Sequence, residues 1–244
     1  MSATIFSPAV ELVREQVVIA PHHPDHLRRP APRPEAVENE RFRQTILWNA
    51  FRTFELLPPA FWLRRLQARL QMNWFPAAPQ MVRVHLWRPL TLPPTHHHNG
   101  VRPDIVADVM IETEHAVWTL MSGDDLRRRI EGDPATGDFA ALLLDATSWY
   151  AGTRDCSLGV LSSHAAHQDP GGSLVERYFR SKDSLRLRSN WRGNPLSNVR
   201  GVGSLSWTDL AAILRDCERA EVLTDIERAL ARNVVEWLER VGIS

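Results

Sequence analysis

The sequence predicts a single α/β domain in which helices flank a mixed β-sheet. Three observations support this prediction. Apolar residues recur at helical spacing near both ends of the chain, two strand-like runs surround a short polar turn near its middle, and a further apolar strand follows an intervening helix. The chain has 244 residues and 43% of them are apolar, which is enough for one domain with a sizeable core.

Two helices are predicted between residues 38 and 70. Pro58 and Pro59 end the first helix, and the second starts directly after them. Apolar residues recur at helical spacing along the first helix: Phe42, Ile46, Phe51, Phe54 and Leu57. Residues 1–37, which include a stretch rich in proline and arginine, are assigned to an N-terminal extension, and residues 38–244 to the domain.

Strand-like and helical patterns alternate through the rest of the chain. The expected elements are a strand at 81–87, a hairpin at 104–123, a helix at 138–150, a strand at 156–162 and a helix at 174–179. Residues 201–203 are interpreted as a short turn. Four tryptophans lie in apolar patterns and are expected in the core: Trp48, Trp62, Trp118 and Trp237.

Two helices are predicted to close the chain. Ser206 with Asp209, and Thr224 with Glu227, have the spacing of a helix start at which side chains satisfy the free amides of the first turn. The last helix is expected to present one apolar face: Ile226, Leu230, Val234, Trp237 and Leu238.

Charge balance and cysteine usage limit the classes of function. Lys+Arg and Asp+Glu are both 29, so the formal net charge of zero argues against a purely electrostatic nucleic-acid binder but leaves a local basic stripe open. Lys182 is the only lysine. Cys156 and Cys217 are far apart and form no CxxC motif, so no zinc site or disulfide framework follows. Without a signal peptide or a membrane-spanning run, a cytoplasmic protein without membrane contact is expected.

Three carboxylates are predicted on one face of the first hairpin strand, because side chains alternate between faces along a strand. They belong to Asp104, Asp108 and Glu112. Asp108 lies about 13 Å from either of the other two, whereas a divalent cation needs its ligands within about 2–2.6 Å. A metal site at Asp108 therefore requires a second ligand from another strand or a helix. If residues 113–114 form the turn, Asp108 lies opposite Thr119 on the return strand.

Five segments occur in the order found in one nuclease family. The helical region 39–66, the hairpin 107–120 and the helix and strand at 148–161 resemble the corresponding elements of a bacterial group of PD-(D/E)XK proteins, and segments 204–214 and 224–238 fit the same order. The resemblance implies a restriction-endonuclease-like fold, a mixed central sheet flanked by helices, and cleavage of DNA with Mg²⁺. In such a nuclease, carboxylates hold the ion, and a lysine orients water and stabilises charge at the phosphate.

The resemblance implies roles for particular residues. Glu40 matches the acid of the first helix, and Asp108 matches the metal-binding aspartate. The glutamate–lysine pair of the return strand has no match, since Thr119 and Met121 stand there and the only lysine is elsewhere. Either the ligands have moved or the domain no longer cuts. The candidate catalytic residues are Glu40, Asp108, Glu112 and Lys182, and the candidate Mg²⁺ ligands are Asp108 and Glu112.

A dense basic segment between residues 177 and 192 is the candidate nucleic-acid-binding surface, since basic residues that neutralise phosphates release counterions. It includes Trp191 and has few acids. Its candidate phosphate-binding residues are Arg177, Arg180, Lys182, Arg186, Arg188 and Arg192. The alternative interpretation is a solvated surface with acidic neighbours such as Asp183.

Two functions remain open from the sequence. One is a nucleic-acid-associated protein that is either a metal-dependent deoxyribonuclease with displaced ligands or a form that binds DNA without cutting it. The other is a catalytically inactive structural or DNA-binding subunit of a bacterial complex with a protein partner, for which phage defence is an association from the resemblance alone. Asp108, Glu40 and the basic segment favour the first function, whereas the missing glutamate–lysine pair favours the second.

Overall fold

The predicted α/β class, with a mixed sheet between helices, is confirmed. A computed structural model of the chain describes residues 37–70, 79, 81–93, 104–122, 139–162, 198–240 and 242–243. Within these residues, five strands form one mixed sheet, and helices cover both of its faces. The helix predicted at 174–179 lies outside the described residues.

The helices and strands of the described part lie close to their predicted positions, except for the last strand, which was not predicted. The helices are α1 (Val37–Leu56), α2 (Pro59–Arg69), α3 (Phe139–Ala151), α4 (Trp207–Glu218) and α5 (Asp225–Arg240). The strands are β1 (Val82–Thr91), β2 (Asp104–Thr113), β3 (Ala116–Ser122), β4 (Asp155–Ser162) and β5 (Val199–Ser206). None of these helices has the length and apolar character needed to cross a lipid bilayer.

The sheet is antiparallel on one side and parallel on the other. Its strands lie in the order β1-β2-β3-β4-β5. β2 runs antiparallel to both of its neighbours, whereas β4 runs parallel to β3 and β5. α3 connects β3 to β4 as the crossover that parallel neighbours require. The carboxyl ends of β3, β4 and β5, at Ser122, Ser162 and Ser206, therefore lie along one edge of the sheet.

Two hydrophobic clusters fill the space on either side of the sheet. The larger one lies between the sheet and α1, α2, α4 and α5, and the smaller one between the sheet and α3. In the larger cluster, Trp62 stacks on Phe54 with ring centroids 5.0 Å apart, and Phe51 meets Phe54 edge to face. The four tryptophans predicted for the core are all buried: Trp48, Trp62, Trp118 and Trp237.

The hairpin of β2 and β3 forms as predicted, but its register differs by two residues. The turn consists of Glu114 and His115, and Met110 rather than Asp108 lies opposite Thr119. The physical reason lies in Thr113, which stays in β2 and is buried there. Its hydroxyl oxygen accepts the amide of the residue that begins β3, at 2.9 Å, and so closes the turn one residue later than expected.

β1 lies at one edge of the sheet formed by the described strands and carries an irregularity at Trp87. The φ angle of Trp87 is 55°, in the left-handed region that a bulky residue rarely adopts. Its ring stacks on Trp48 of α1, with centroids 6.0 Å apart and planes inclined by 13°. We infer that this packing against α1 stabilises the unfavourable backbone conformation.

β5 includes the glycines that the sequence analysis interpreted as a turn, and this interpretation was wrong. Glycine is a poor strand former, but Gly203 has a packing role here. A Cβ atom at Gly203 would lie 2.2 Å from the carbonyl oxygen of Leu70, which follows the end of α2. The absence of a side chain thus lets the backbone of α2 approach the sheet directly.

Both predicted capping signatures of the C-terminal helices are confirmed. The amide of Asp209 donates to the hydroxyl of Ser206 at 3.0 Å and the amide of Ser206 donates back to the carboxylate, and Thr224 and Glu227 form the same reciprocal pair. Ile226, which was predicted to face the core, is 75% exposed. No residue in the first turn of α5 is buried, and the buried residues of this helix start later: Ala231, Val234, Val235, Trp237 and Leu238.

We expect Gly203→Ala to destabilise the fold by about 1–3 kcal/mol, because the added methyl group meets backbone that cannot rotate away. Gly159→Ala is the matched control on β4. Its Cβ would meet Leu120 Cδ2 at 2.3 Å, but this is the end of a flexible side chain, and the loss should be smaller. Urea unfolding of the two variants measures the difference, and an equal or larger loss for Gly159→Ala would contradict the assigned contact.

Candidate functional site

Asp108 is half-buried on β2 and is fixed by the main chain of β3. Its Oδ2 atom accepts a hydrogen bond from the backbone amide of Ser122, the last residue of β3, at 2.7 Å. A hydrogen bond to an ionised carboxylate is short and roughly twice as strong as a neutral one. The carboxylate of Asp108 therefore has a defined position at the carboxyl end of β3.

The first helix reaches the same place through Arg43. The Nη1 atom of Arg43 lies 3.5 Å from the Oγ atom of Ser122, and both side chains are buried. Glu40 precedes Arg43 by three residues on α1, which is about one helical turn. The side chain of Arg43 and the carboxylate of Asp108 thus meet at Ser122, and we call Arg43, Asp108 and Ser122 the Asp108 corner.

β3 contributes no ionisable side chain to the Asp108 corner. Thr119 and Met121, where the resemblance would require a glutamate and a lysine, are buried beneath α3. The hydroxyl of Thr119 shares a 2.8 Å hydrogen bond with Thr147, which itself donates to a backbone carbonyl of α3. No group of three or more His, Cys, Asp or Glu residues that could hold a metal ion occurs among the described residues.

Glu112, four residues further along β2 than Asp108, is contacted by three side chains. Arg154 Nη1 lies 2.6 Å and the hydroxyl of Tyr150 lies 3.2 Å from Oε1, and His85 Nε2 lies 3.4 Å from Oε2. Burial alone would raise the pKa of Glu112, but the hydrogen bonds from Arg154 and Tyr150 and the nearby charges hold it below its ordinary value. Glu112 connects β1, β2, α3 and the start of β4, about 13 Å along the strand from Asp108.

Several predicted site residues lie outside the part of the chain that the structure describes. These are Lys182 and the arginines of the basic segment, Arg177, Arg180, Arg186, Arg188 and Arg192. The structure therefore brings Arg43 and Asp108 to the same residue, places Glu112 in a separate ion-pair cluster, and leaves the predicted nucleic-acid surface as a prediction.

Sequence reasoning missed Arg43 and Arg154. Arg43 had a usable signal, because it precedes the buried Ile46 by three residues and Leu47 by four, and so lies on the buried side of α1. Arg154 had none, because its contact with Glu112 joins residues 42 positions apart, with β3 and α3 between them in the sequence.

The two cysteines are buried free thiols. Burial raises the pKa of Cys156 to about 12 and that of Cys217 to about 11. Since the thiolate is the reactive form, neither residue is suited to act as a nucleophile or a metal ligand near neutral pH.

No family model matches the chain, and no curated protein or solved structure is significantly similar to it. The PD-(D/E)XK resemblance therefore stays a prediction that depends on the residues of this chain alone.

We expect neither thiol to react with a thiol-specific reagent in the native protein at pH 8, because burial raises both pKa values. Spectrophotometric titration with a disulfide reagent should give no rapid reaction before urea is added and two equivalents per chain afterwards. A rapid reaction of either thiol in the native state would contradict the burial of that residue.

Glu112→Gln should lower the free energy of unfolding at pH 7 by about 1–3 kcal/mol, because it leaves Arg154 without its carboxylate. A carboxylate whose pKa is depressed in the folded state stabilises fully above its unfolded pKa, and this contribution is lost as the pH falls through the folded value. The difference between wild type and variant should therefore be present at pH 7 and shrink as the pH falls below the ordinary value of 4.5.

The matched control is Glu239→Gln, which breaks an ion pair of an exposed acid with Arg215. We expect an effect below about 1 kcal/mol there. Urea unfolding across the pH range measures both variants, and a pH-independent loss for Glu112→Gln would contradict an electrostatic role.

Proposed function

We propose that the chain is a DNA-binding protein with a PD-(D/E)XK-like domain, and that the Asp108 corner binds a phosphodiester and hydrolyses it with Mg²⁺. The observation that carries this proposal is the meeting of α1, β2 and β3. Asp108 and Arg43 contact the same residue, Ser122. The helix acid Glu40 lies about one turn before Arg43 on α1. The two acids that the resemblance pairs therefore belong to elements that converge.

The residues of the corner suit Mg²⁺ better than a cation whose ligands must all come from the protein. Mg²⁺ keeps several waters and is usually held by one or two carboxylates together with substrate phosphates. Asp108 supplies one carboxylate, and Glu40 is the proposed second. When bound, the ion would lower the pKa of a water and neutralise charge on the phosphate. The amide of Ser122 keeps the carboxylate of Asp108 oriented toward this role.

The basic segment 177–192 is proposed to contact the phosphate backbone of DNA. Of its charged residues, six are basic and one, Asp183, is acidic, whereas the whole chain has no net charge. Binding through such a segment is local and weakens steeply as salt rises. This part of the proposal depends on sequence alone.

A second candidate function is a catalytically inactive DNA-binding or structural subunit of a bacterial complex, such as a phage-defence complex. The environment of the residues near the Asp108 corner favours this second function. Thr119 and Met121 are buried beneath α3, and Glu112 is bound by Arg154. None of these three positions supplies a free carboxylate, so a second metal ligand would have to come from elsewhere in the chain. If no such carboxylate is present, the domain would bind DNA without cutting it.

We expect the purified protein to retard DNA and to cut plasmid or single-stranded DNA with Mg²⁺ or Mn²⁺. Asp108→Asn should abolish cutting, since it removes the charge that holds the ion while keeping an acceptor for the amide of Ser122. Asp155→Asn is the control, because this acid at the start of β4 pairs with Arg200 at 2.6 Å. Gel assays of supercoiled plasmid and a labelled single strand measure both activities.

The outcomes distinguish the two functions. Retardation without cutting by the wild type would favour the inactive subunit. Cutting that persists in Asp108→Asn would mean that the corner is not the active site. A wild-type protein that neither cuts nor binds DNA would rule out both nucleic-acid proposals.

A further inference from the structure

We infer that Trp87 on β1 positions the carboxylate of Asp108, because the left-handed backbone of Trp87 turns over the ribbon formed by β1 and β2 at the level of this acid. Trp87 is thus a positioning residue, which acts through Asp108 and not on a substrate. What this role contributes to catalysis rests on the proposed function, whereas the placement of the carboxylate is measurable without it.

Trp87 lies at the level of Asp108 in the pairing of β1 with β2. The residues before and after it pair with Val109 and Ala107, and the register is the same on both sides. Its φ angle of 55° is one that a bulky residue rarely adopts. Residues in such strained conformations cluster at functional sites, where the surrounding structure enforces them. The strained residue and the candidate metal ligand are therefore neighbours across the two strands.

The two strands exchange faces at this level. Side chains two or four residues apart on a strand normally point to the same side of the sheet. On β2, however, Val109 packs in the larger cluster and Ala107 in the smaller one. The same change separates Leu86 from Leu90 on β1. The ribbon therefore turns over between these residues, and Trp87 holds the backbone conformation that departs from a regular strand there.

This exchange of faces determines the direction of the Asp108 side chain. On a regular strand, Asp108 would share a face with Met110, which packs in the smaller cluster. Its Oδ2 atom instead accepts the amide of Ser122 at 2.7 Å, and the hydroxyl of Ser122 contacts Arg43 of α1 at 3.5 Å. Because α1 covers the larger cluster, the carboxylate is directed away from the smaller one, to the carboxyl end of β3.

Packing against α1 keeps Trp87 in this conformation. Its ring stacks on Trp48 with centroids 6.0 Å apart, and the guanidinium of Arg52 lies 5.0 Å from the centroid of the Trp48 ring. Trp48 is fully buried, and a close-packed interior leaves such a ring little room to move. The helix thus fixes the backbone of β1 at the level of Asp108.

The simplest competing explanation is that Trp87 only fills the core, and a matched pair of substitutions separates the two explanations. Trp87→Gly and Trp87→Val both remove the ring that stacks on α1. Glycine adopts the left-handed region freely, whereas a β-branched residue strongly resists it. If Trp87 only fills space, Trp87→Gly should do at least as much damage as Trp87→Val. If its backbone positions Asp108, only Trp87→Val should release the carboxylate.

The experiment measures hydrogen exchange of the Ser122 amide by NMR, in the absence of DNA and metal. The amide of Leu120, inside the same strand, reports any general loosening of the sheet. In Trp87→Val, exchange at Ser122 relative to Leu120 should accelerate about tenfold or more, as expected for the loss of a hydrogen bond to a charged acceptor. In Trp87→Gly the ratio should stay within about threefold of wild type, because glycine keeps the backbone conformation. Asp108→Ala removes the acceptor and defines the ratio for a lost contact.

The inference is overturned if the two Trp87 variants change the ratio equally, or if Trp87→Val leaves it unchanged. A ratio in Asp108→Ala equal to that of wild type would also overturn it, since the contact itself would then be absent. If Trp87→Val does not fold by circular dichroism, Trp87→Ala takes its place, because alanine also disfavours the left-handed region. A wild type that cuts no DNA contradicts the proposed function only, because the exchange measurement needs neither DNA nor cleavage.

Discussion

The register of the β2–β3 hairpin determines where the charged groups of the sheet lie. Side chains alternate between the two faces of a strand. A shift of one residue in the pairing of the two strands would therefore turn the side chains to the other face, and a shift of two would keep the faces but change the partner of every residue. The hydroxyl of Thr113 sets this register by accepting the amide that begins β3. In this register the Oδ2 atom of Asp108 accepts the amide of Ser122 at the end of the strand, at 2.7 Å.

β2 consequently serves two purposes. Near its end at the turn, Glu112 is bound by Arg154 and joins the antiparallel half of the sheet to α3 and β4. Farther along, Asp108 is bound by a main-chain amide and remains half-buried. An ion pair between side chains stabilises the fold, whereas a carboxylate held by the backbone stays oriented for a ligand. The spacing of the acids along β2 therefore separates stability from the proposed function.

The sequence was sufficient for patterns that repeat locally. Helical spacing and the two prolines located α1 and α2, and the capping signatures located the starts of α4 and α5. It was insufficient where a contact between residues far apart in the sequence determines the local structure. β5 was missed because Gly203 is explained only by its approach to Leu70, and the register depended on one hydroxyl group. The corner itself joins α1 to β3, and residues 79 positions apart in sequence carry no local signal of their contact.

The irregularity of β1 has a consequence for solubility. An exposed edge strand offers unpaired amides and carbonyls to another molecule, and long regular edges therefore promote aggregation. At Trp87 the left-handed backbone interrupts the ladder that a second chain would extend, and two residues later Pro89 has no amide to donate. Among the described strands β1 is at the edge, and the stack of Trp87 on Trp48 holds the irregularity that makes this edge a poor partner for a further strand.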